Sequence, residues 1–170
     1  MSDKYILLSL DPGETTGYCI LDGKGKAIEL GTLHLWQNLD RILGRGVTDV
    51  CIEEFRLYPW ASKAQSFAKI PTIEVIGVAR YLCQVSGIPF AEYPAYNKKF
   101  FSDSRLKSLG FDISILHIRD ALRHGLYHLQ FTKGVPIVAN IQAPATKEPR
   151  RKSYARSRNG RRKKQTRRKR

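Results

Sequence analysis

The chain has 170 residues, of which 42% are hydrophobic and 26% are charged. This composition suits one compact domain and excludes a fibrous or wholly disordered protein. Thirty Lys and Arg against fifteen Asp and Glu give a formal net charge of +15, which predicts polyanionic partners. The excess is concentrated in residues 147–170, where fourteen basic residues accompany a single acid, so the rest of the chain is nearly neutral.

Cysteine spacing and the apolar runs indicate the compartment. Cys19, Cys51 and Cys83 form no CxxC pair, so neither a disulfide framework nor a cysteine zinc site is predicted. The apolar run from Tyr5 to Leu10 is far shorter than a signal-peptide core or a membrane span. We therefore expect a cytoplasmic protein.

The first third of the chain predicts an antiparallel meander. Residues 4–10 read as a buried strand that the turn residues Asp11-Pro12-Gly13 stop. Residues 18–22 and 26–35 predict two further strands joined by a glycine-containing turn.

The remaining elements alternate between helix and strand. Pro71 suits a helix start and Gly87 a helix end, whereas residues 56–70 and the basic segment around Asn97 predict loops. The predicted elements are a helix over 36–43, a strand over 47–55, a helix over 71–86, a strand over 88–94 and a helix over 113–131. This order implies an α/β fold with a five-stranded mixed sheet flanked by helices.

Three acidic residues occupy positions from which they can meet. Asp11 ends the first strand, Glu53 follows the apolar run of the fourth strand, and Asp120 lies on the last helix. His117 lies three residues before Asp120 and can share a ligand with it.

The same helix edge continues to His124 and His128, opposite an apolar face that we expect to pack on the sheet. An exposed or half-buried His/Asp edge is therefore predicted. At a rise of roughly 1.5 Å per residue, His124 and His128 lie roughly 10 and 16 Å from His117, so we exclude both as direct ligands of one metal site.

Three carboxylates and one imidazole form an oxygen-rich, hard ligand set. Such a set favours Mg²⁺, or Mn²⁺ in its place, over zinc. Two such ions about 3.5 to 4 Å apart can activate water and stabilise the leaving oxygen in phosphodiester hydrolysis. Taken singly, each residue also has an ordinary structural interpretation, as a turn, cap or surface residue.

Three segments carry a family resemblance: ILLSLDPGETTGYCILD, VCIEEF and HIRDALRHGL. In order and spacing, over roughly residues 4–131, they resemble the active-site segments of RuvC-like Holliday junction resolvases, closest to phage-encoded members. The resemblance implies a ribonuclease H-like fold and two metal ions held by Asp11, Glu53, His117 and Asp120. A basic tail like this one has no counterpart in the compact bacterial members.

The resemblance also implies DNA contacts. Lys98 or Lys99, after the fifth strand, could approach the scissile phosphate, and the sequence does not decide between them. The loop after Glu53 could stack on bases at a branch point or form a packed flap. Its candidate contact residues are Phe55, Arg56, Tyr58 and Trp60.

The basic tail predicts disorder and sequence-independent binding of nucleic acid. We predict a nuclease domain over 1–133, a linker over 134–146 and a tail over 147–170. The tail residues expected to contact DNA are Arg150, Arg151, Lys152, Arg161, Arg162, Lys163, Lys164, Arg167 and Arg168.

The leading functional hypothesis is a metal-dependent endonuclease of DNA recombination and repair that nicks four-way junctions as a homodimer. The dimer follows from the resemblance alone. One alternative is an RNA-processing nuclease of the same superfamily, such as the YqgF-like group, although the HxxDA segment argues against it. The other is a non-catalytic nucleic-acid-binding protein.

Overall fold

The five predicted strands form one mixed sheet, which confirms the expected α/β architecture. A computed structural model of the protein describes residues 5–56 and 70–138. The strands follow the spatial order β3-β2-β1-β4-β5, with β1, β2 and β3 antiparallel and both β4 and β5 parallel to their neighbours. Their bounds are β1 (Ile6–Asp11), β2 (Thr15–Asp22), β3 (Ala27–His34), β4 (Asp49–Glu53) and β5 (Phe90–Tyr93).

The helices lie on both faces of this sheet. They are α1 (Leu39–Leu43), α2 (Pro71–Ser86), a 3₁₀ helix (Ala95–Phe101), α3 (Asp103–Ser108), α4 (Leu116–Tyr127) and a closing π turn (His128–Thr132). In the described residues, no helix is both long enough and apolar enough to cross a membrane.

Four predictions about helices need correction. The helix predicted over 113–131 begins only at Leu116, because Ile115 has an extended backbone (φ −77°, ψ 117°). The helix predicted from residue 36 begins only at Leu39, because Asn38 adopts a left-handed backbone conformation (φ 66°) that a helix cannot include. The basic loop around Asn97 is a 3₁₀ helix. The sequence analysis also missed α3, although Ser102 caps it by accepting a hydrogen bond from the Arg105 amide.

Strand alternation divides the core into two layers. In β1, Leu8 and Leu10 face the layer of α1 and α2, whereas Leu7 faces the layer of α3 and α4. Cys51 of β4 also faces α4. By the same alternation, Asp11 and Glu53 lie on the α4 side of the sheet.

Two glycines let α4 approach the sheet closely. A Cβ on Gly17 of β2 would lie 2.1 Å from the His117 carbonyl oxygen, and one on Gly125 would lie 2.8 Å from Leu21 Cδ1. Ser9 of β1 completes the contact by donating a hydrogen bond to the Ala121 carbonyl at 2.6 Å. These contacts fix the height of α4 above the strand ends.

Some predictions fall outside the described residues. They concern Tyr58, Trp60, most of the linker and the whole basic tail. Val135 and Ile137, at the start of the predicted linker, pack against the core layer beneath α4.

Candidate active site

Asp11 and Glu53 lie side by side at the carboxyl ends of two parallel strands. The register pairs Ser9 with Cys51 and Leu10 with Ile52, so the next pair along the strands is Asp11 and Glu53. The two carboxylates lie on the α4 side of the sheet, close enough for each to shift the pKa of the other.

The first turns of α4 bring His117 and Asp120 over this pair. His117 Nδ1 lies 2.8 Å from Asp11 Oδ2. Asp11 and Asp120 are both 8% exposed, whereas the His117 side chain is 45% exposed. The imidazole therefore lies at the mouth of the cluster and the carboxylates lie within it.

The ammonium group of Lys98 lies among all three carboxylates. Lys98 Nζ is 2.7 Å from Glu53 Oε2, 3.0 Å from Asp120 Oδ2 and 3.8 Å from Asp11 Oδ1. Three acidic side chains from two strands and a helix thus converge on one cation. We call Asp11, Glu53, Asp120 and Lys98 the carboxylate cluster.

The two strand carboxylates of the cluster have very different pKa values. Burial, together with the neighbouring Glu53, raises the pKa of Asp11 to about 7, against the opposing effects of His117 and Lys98. Burial acts on Glu53 in the same direction, but hydrogen bonds from His124 and Lys98 outweigh it and lower its pKa to about 2. The Lys98 pKa is raised, because Glu53 and Asp120 outweigh the effect of its burial. The pair therefore holds one proton on Asp11 more readily than on Glu53.

Two further residues orient the carboxylates of the cluster, and neither was predicted to belong to the site. His124 is fully buried, and its Nε2 lies 3.1 Å from Glu53 Oε2. Arg123 donates to Asp120 Oδ1 at 2.6 Å and to the Phe101 carbonyl at 3.0 Å. Both follow Asp120 by a turn or less, and this spacing along α4 is the signal that could have indicated them.

The prediction of an exposed or half-buried His/Asp edge on α4 holds for His117 but is wrong for the two histidines that follow it. His124 and His128 are 0% and 2% exposed because this edge packs against β4. His128 Nε2 lies 3.1 Å from Asp49 Oδ2, at the far end of β4 from Glu53. Each of these histidines bonds a strand carboxylate, and their exclusion as direct metal ligands stays a prediction.

The other predicted contact residues lie outside the cluster. Lys99 is exposed and its Nζ lies over the rings of Tyr96 and Phe100, so of the two candidate lysines only Lys98 meets the carboxylates. Phe55 packs against the core layer beneath α2, and Arg56 is exposed and pairs with Glu54. The packing of Phe55 favours the packed-flap alternative, and its stacking role stays a prediction.

Two solved structures share this architecture. Thermus thermophilus RuvC in complex with a Holliday junction substrate superposes with a TM-score of 0.61 and 15% sequence identity, covering 76% of this chain and 96% of that one. A second Thermus thermophilus RuvC structure gives a TM-score of 0.54 at 16% identity, covering 76% and 97% of the two chains. The fold of this protein is RuvC-like.

Comparison with protein-family models and with curated protein sequences gives no match. The likeness to RuvC therefore rests on the structural comparison, where the sequence identity is only 15 to 16%. The expected resemblance to phage-encoded members stays a prediction, because both structures come from a bacterium.

The donor chemistry of the carboxylate cluster and His117 fits hard divalent cations. Among the described residues, no group of three or more His, Cys, Asp and Glu side chains is arranged around an ion position. In the cluster, the Lys98 ammonium lies within 3.8 Å of all three carboxylates. Oxygen donors of this kind suit Mg²⁺ or Mn²⁺.

Proposed function

We propose that this protein is a metal-dependent endonuclease that nicks branched DNA and resolves four-way junctions. The observation that carries the proposal is the convergence of Asp11, Glu53 and Asp120 on the half-buried Lys98 ammonium, with His117 at the mouth. Carboxylates gathered in this way are costly to bury without a counter-charge. A site that keeps them is suited to binding cations for phosphodiester hydrolysis.

In the proposed mechanism, Asp11, Glu53, His117 and Asp120 hold two Mg²⁺ ions. When bound, these ions activate the attacking water and stabilise the leaving oxygen. Because its pKa is raised, Asp11 would have to lose a proton to serve as a ligand, whereas the lowered pKa of Glu53 keeps that carboxylate ionised. His124 and Arg123 keep the Glu53 and Asp120 carboxylates oriented. With ions bound, the positive charge of Lys98 would be available to a phosphate oxygen.

The fold and the charge support branched DNA as the substrate. Thermus thermophilus RuvC is described in complex with a Holliday junction substrate, and it shares this fold over most of its length. The net charge of +15 suits a polyanionic partner. The basic residues from Arg150 onward supply non-specific affinity in this proposal.

A homodimer is part of the proposal, since two symmetric sites suit two symmetric strands of a junction. One face of α2 supports it. Ile73, Gly77, Tyr81 and Val85 recur at every fourth residue, and the three side chains are 50%, 65% and 68% exposed. A Cβ on Gly77 would meet no atom within 4 Å, so a second helix backbone can approach closely there. We call these four residues the α2 stripe.

The decisive experiment compares cleavage of a labelled four-way junction, a linear duplex and an RNA hairpin, in Mg²⁺ and in EDTA. Wild type is expected to make symmetric, Mg²⁺-dependent nicks in the junction. Asp120→Asn is expected to abolish them while junction binding persists. Asp112→Asn is the matched control, because the Asp112 side chain is 89% exposed and lies outside the carboxylate cluster.

Two outcomes would replace this proposal. Preferential cutting of the RNA hairpin would indicate an RNA-processing nuclease of the same superfamily. Salt-sensitive binding of every substrate without cleavage in Mg²⁺ or Mn²⁺ would indicate a non-catalytic nucleic-acid-binding protein.

A further inference from the structure

A cluster of aromatic rings lies on the surface beside the carboxylate cluster and has no part in the proposed mechanism. The ring centroids of Phe100, Tyr127 and Phe131 lie 4.8 to 5.5 Å apart. Phe100 is 39% exposed and Phe131 is 49% exposed. We call these three residues the aromatic platform. Partly exposed rings gathered in one patch are suited to binding a ligand.

A lysine extends the aromatic platform. Lys99 Nζ lies 5.6 Å from the Phe100 ring centroid and 5.7 Å from that of Tyr96, which is 62% exposed. A cation held over exposed rings places a phosphate-binding charge directly beside surfaces on which bases can stack. This pairing favours nucleic acid over an apolar protein surface as the occupant.

The aromatic platform begins next to Lys98 in the chain and continues away from the carboxylate cluster along α4. Lys98, Lys99 and Phe100 are consecutive in the 3₁₀ helix, with Lys98 turned toward the carboxylates and the next two residues exposed. Tyr127 follows Asp120 by seven residues of α4, roughly 10 Å along the helix axis. This distance corresponds to about three base steps of a DNA strand, and the distance to Phe131, roughly 16 Å, to about five.

Neighbouring side chains hold the aromatic platform in place. Arg105 donates to the Phe100 carbonyl at 2.7 Å and to Gln130 Oε1 at 2.8 Å, so it ties the 3₁₀ helix to the π turn. Tyr93 packs edge-on against Tyr127 at 5.2 Å and shares a hydrogen bond with Thr132. The rings are therefore pre-organised, which lowers the entropic cost of stacking a base on them.

We infer that the aromatic platform stacks unpaired bases of the strand that leaves the carboxylate cluster, while Lys99 contacts its phosphate. This inference rests on the proposed function for the position of the scissile phosphate. In this inference, the aromatic platform, rather than the loop after Glu53, selects branched DNA over fully paired DNA. Bases that are already unpaired near a branch can reach the rings without the cost of opening a duplex.

The test is metal-free binding by the full chain, so it does not depend on cleavage. The probes are a 12-nucleotide single strand and a four-way junction, each carrying 2-aminopurine, whose fluorescence falls on stacking. Wild type is expected to quench both probes. Phe100→Ala and Phe131→Ala are each expected to weaken single-strand binding about 5- to 150-fold and to remove the quenching.

The salt dependence separates the rings from the charges. Removing a ring leaves the slope of log affinity against log salt unchanged, whereas Lys99→Gln is expected to reduce its magnitude by about 0.7 for the single strand. Trp36→Ala is the matched control. Trp36 is also 39% exposed, but it lies on the α2 side of the sheet, beside Glu74.

Phe100→Trp and Phe131→Trp keep an aromatic ring for stacking and are expected to bind as wild type does. They therefore show whether the alanine variants fail because a stacking surface is lost or because packing is disturbed. Unchanged quenching in the alanine variants would overturn the inference, as would failed rescue by tryptophan. The inference would also be overturned if the alanine variants kept their affinity for the single strand but no longer formed a dimer. Cleavage without ring-dependent quenching would contradict only this inference, and quenching without cleavage would contradict only the proposed nuclease function.

Discussion

Gly17 lies directly beneath the backbone of His117, where a Cβ would come within 2.1 Å of the carbonyl oxygen and 2.2 Å of the carbonyl carbon. Gly17 is also the residue paired with Asp11 across the β1–β2 ladder. One glycine therefore sets the distance between the helix that carries His117 and the strand that carries Asp11. The 2.8 Å contact between those two side chains depends on this close approach.

Gly17→Ala is expected to destabilise the fold by about 3 kcal/mol and to abolish cleavage, because backbone atoms rather than a movable side chain oppose the new methyl group. Urea unfolding measures the first effect and junction cleavage the second. Gly44→Ala is the control, since Gly44 has an ordinary helical conformation and a Cβ there would meet nothing closer than 3.5 Å. Similar stabilities for the two variants would contradict the role assigned to Gly17.

Lys98→Gln tests whether the ammonium competes with metal ions for the carboxylates. We expect the variant to bind Mg²⁺ about tenfold more tightly than wild type in the absence of DNA, because no cation has to leave the cluster first. It is also expected to lose cleavage. Isothermal titration with MgCl₂ gives the affinity directly.

Lys99→Gln is the matched control for this titration, because Lys99 is the next residue but does not contact the carboxylates. Its Mg²⁺ affinity is expected to equal that of wild type. If Lys98→Gln binds Mg²⁺ no more tightly than Lys99→Gln does, competition by the ammonium is refuted.

Strand patterns were sufficient to predict the sheet and the placement of two carboxylates. Alternation fixes the face on which Asp11 and Glu53 lie, and the parallel register brings them together. The choice between Lys98 and Lys99 could not be made in this way. It depends on how the 3₁₀ helix packs against α4, which is a long-range contact that neighbouring residues do not encode.

The histidines of α4 show a second limit of sequence reasoning. Distances measured along the helix from His117 exclude His124 from the same metal site, but they ignore the strand on the other side. Glu53 extends from β4 and reaches His124 at 3.1 Å, and Asp49 reaches His128 in the same manner. Two carboxylates four residues apart on a strand thus meet two histidines four residues apart on a helix.

The α2 stripe predicts the oligomeric state. We expect wild type to be a dimer by light scattering after gel filtration, and Tyr81→Glu with Val85→Glu to be a folded monomer, because a buried, unpaired carboxylate is unfavourable at an interface. The monomer is expected to nick the two junction strands independently rather than in pairs. Ile28→Glu is the control, since Ile28 is 50% exposed on β3, outside the stripe. A monomeric wild type would contradict the prediction.

Asp49 predicts how stability depends on pH. This carboxylate is buried and accepts hydrogen bonds from His128, Lys133 and Tyr5, at 3.1, 2.6 and 2.8 Å. Burial alone would raise its pKa, but these partners outweigh burial and lower it to about 2. Since the pKa is lower in the folded state, the carboxylate stabilises the fold above its unfolded pKa of about 4, and this contribution disappears as the pH falls toward 2.

Asp49→Asn is therefore expected to cost on the order of 2 kcal/mol at pH 7 and progressively less between pH 4 and pH 2. Urea unfolding at pH 7, 5, 4 and 3 measures the difference from wild type at each pH. Asp112→Asn changes an exposed carboxylate and is expected to alter the free energy of unfolding by less than about 0.5 kcal/mol throughout. A cost for Asp49→Asn that stays constant from pH 7 to pH 3 would show that its effect comes from packing, because only the loss of an ionised carboxylate depends on pH in this range.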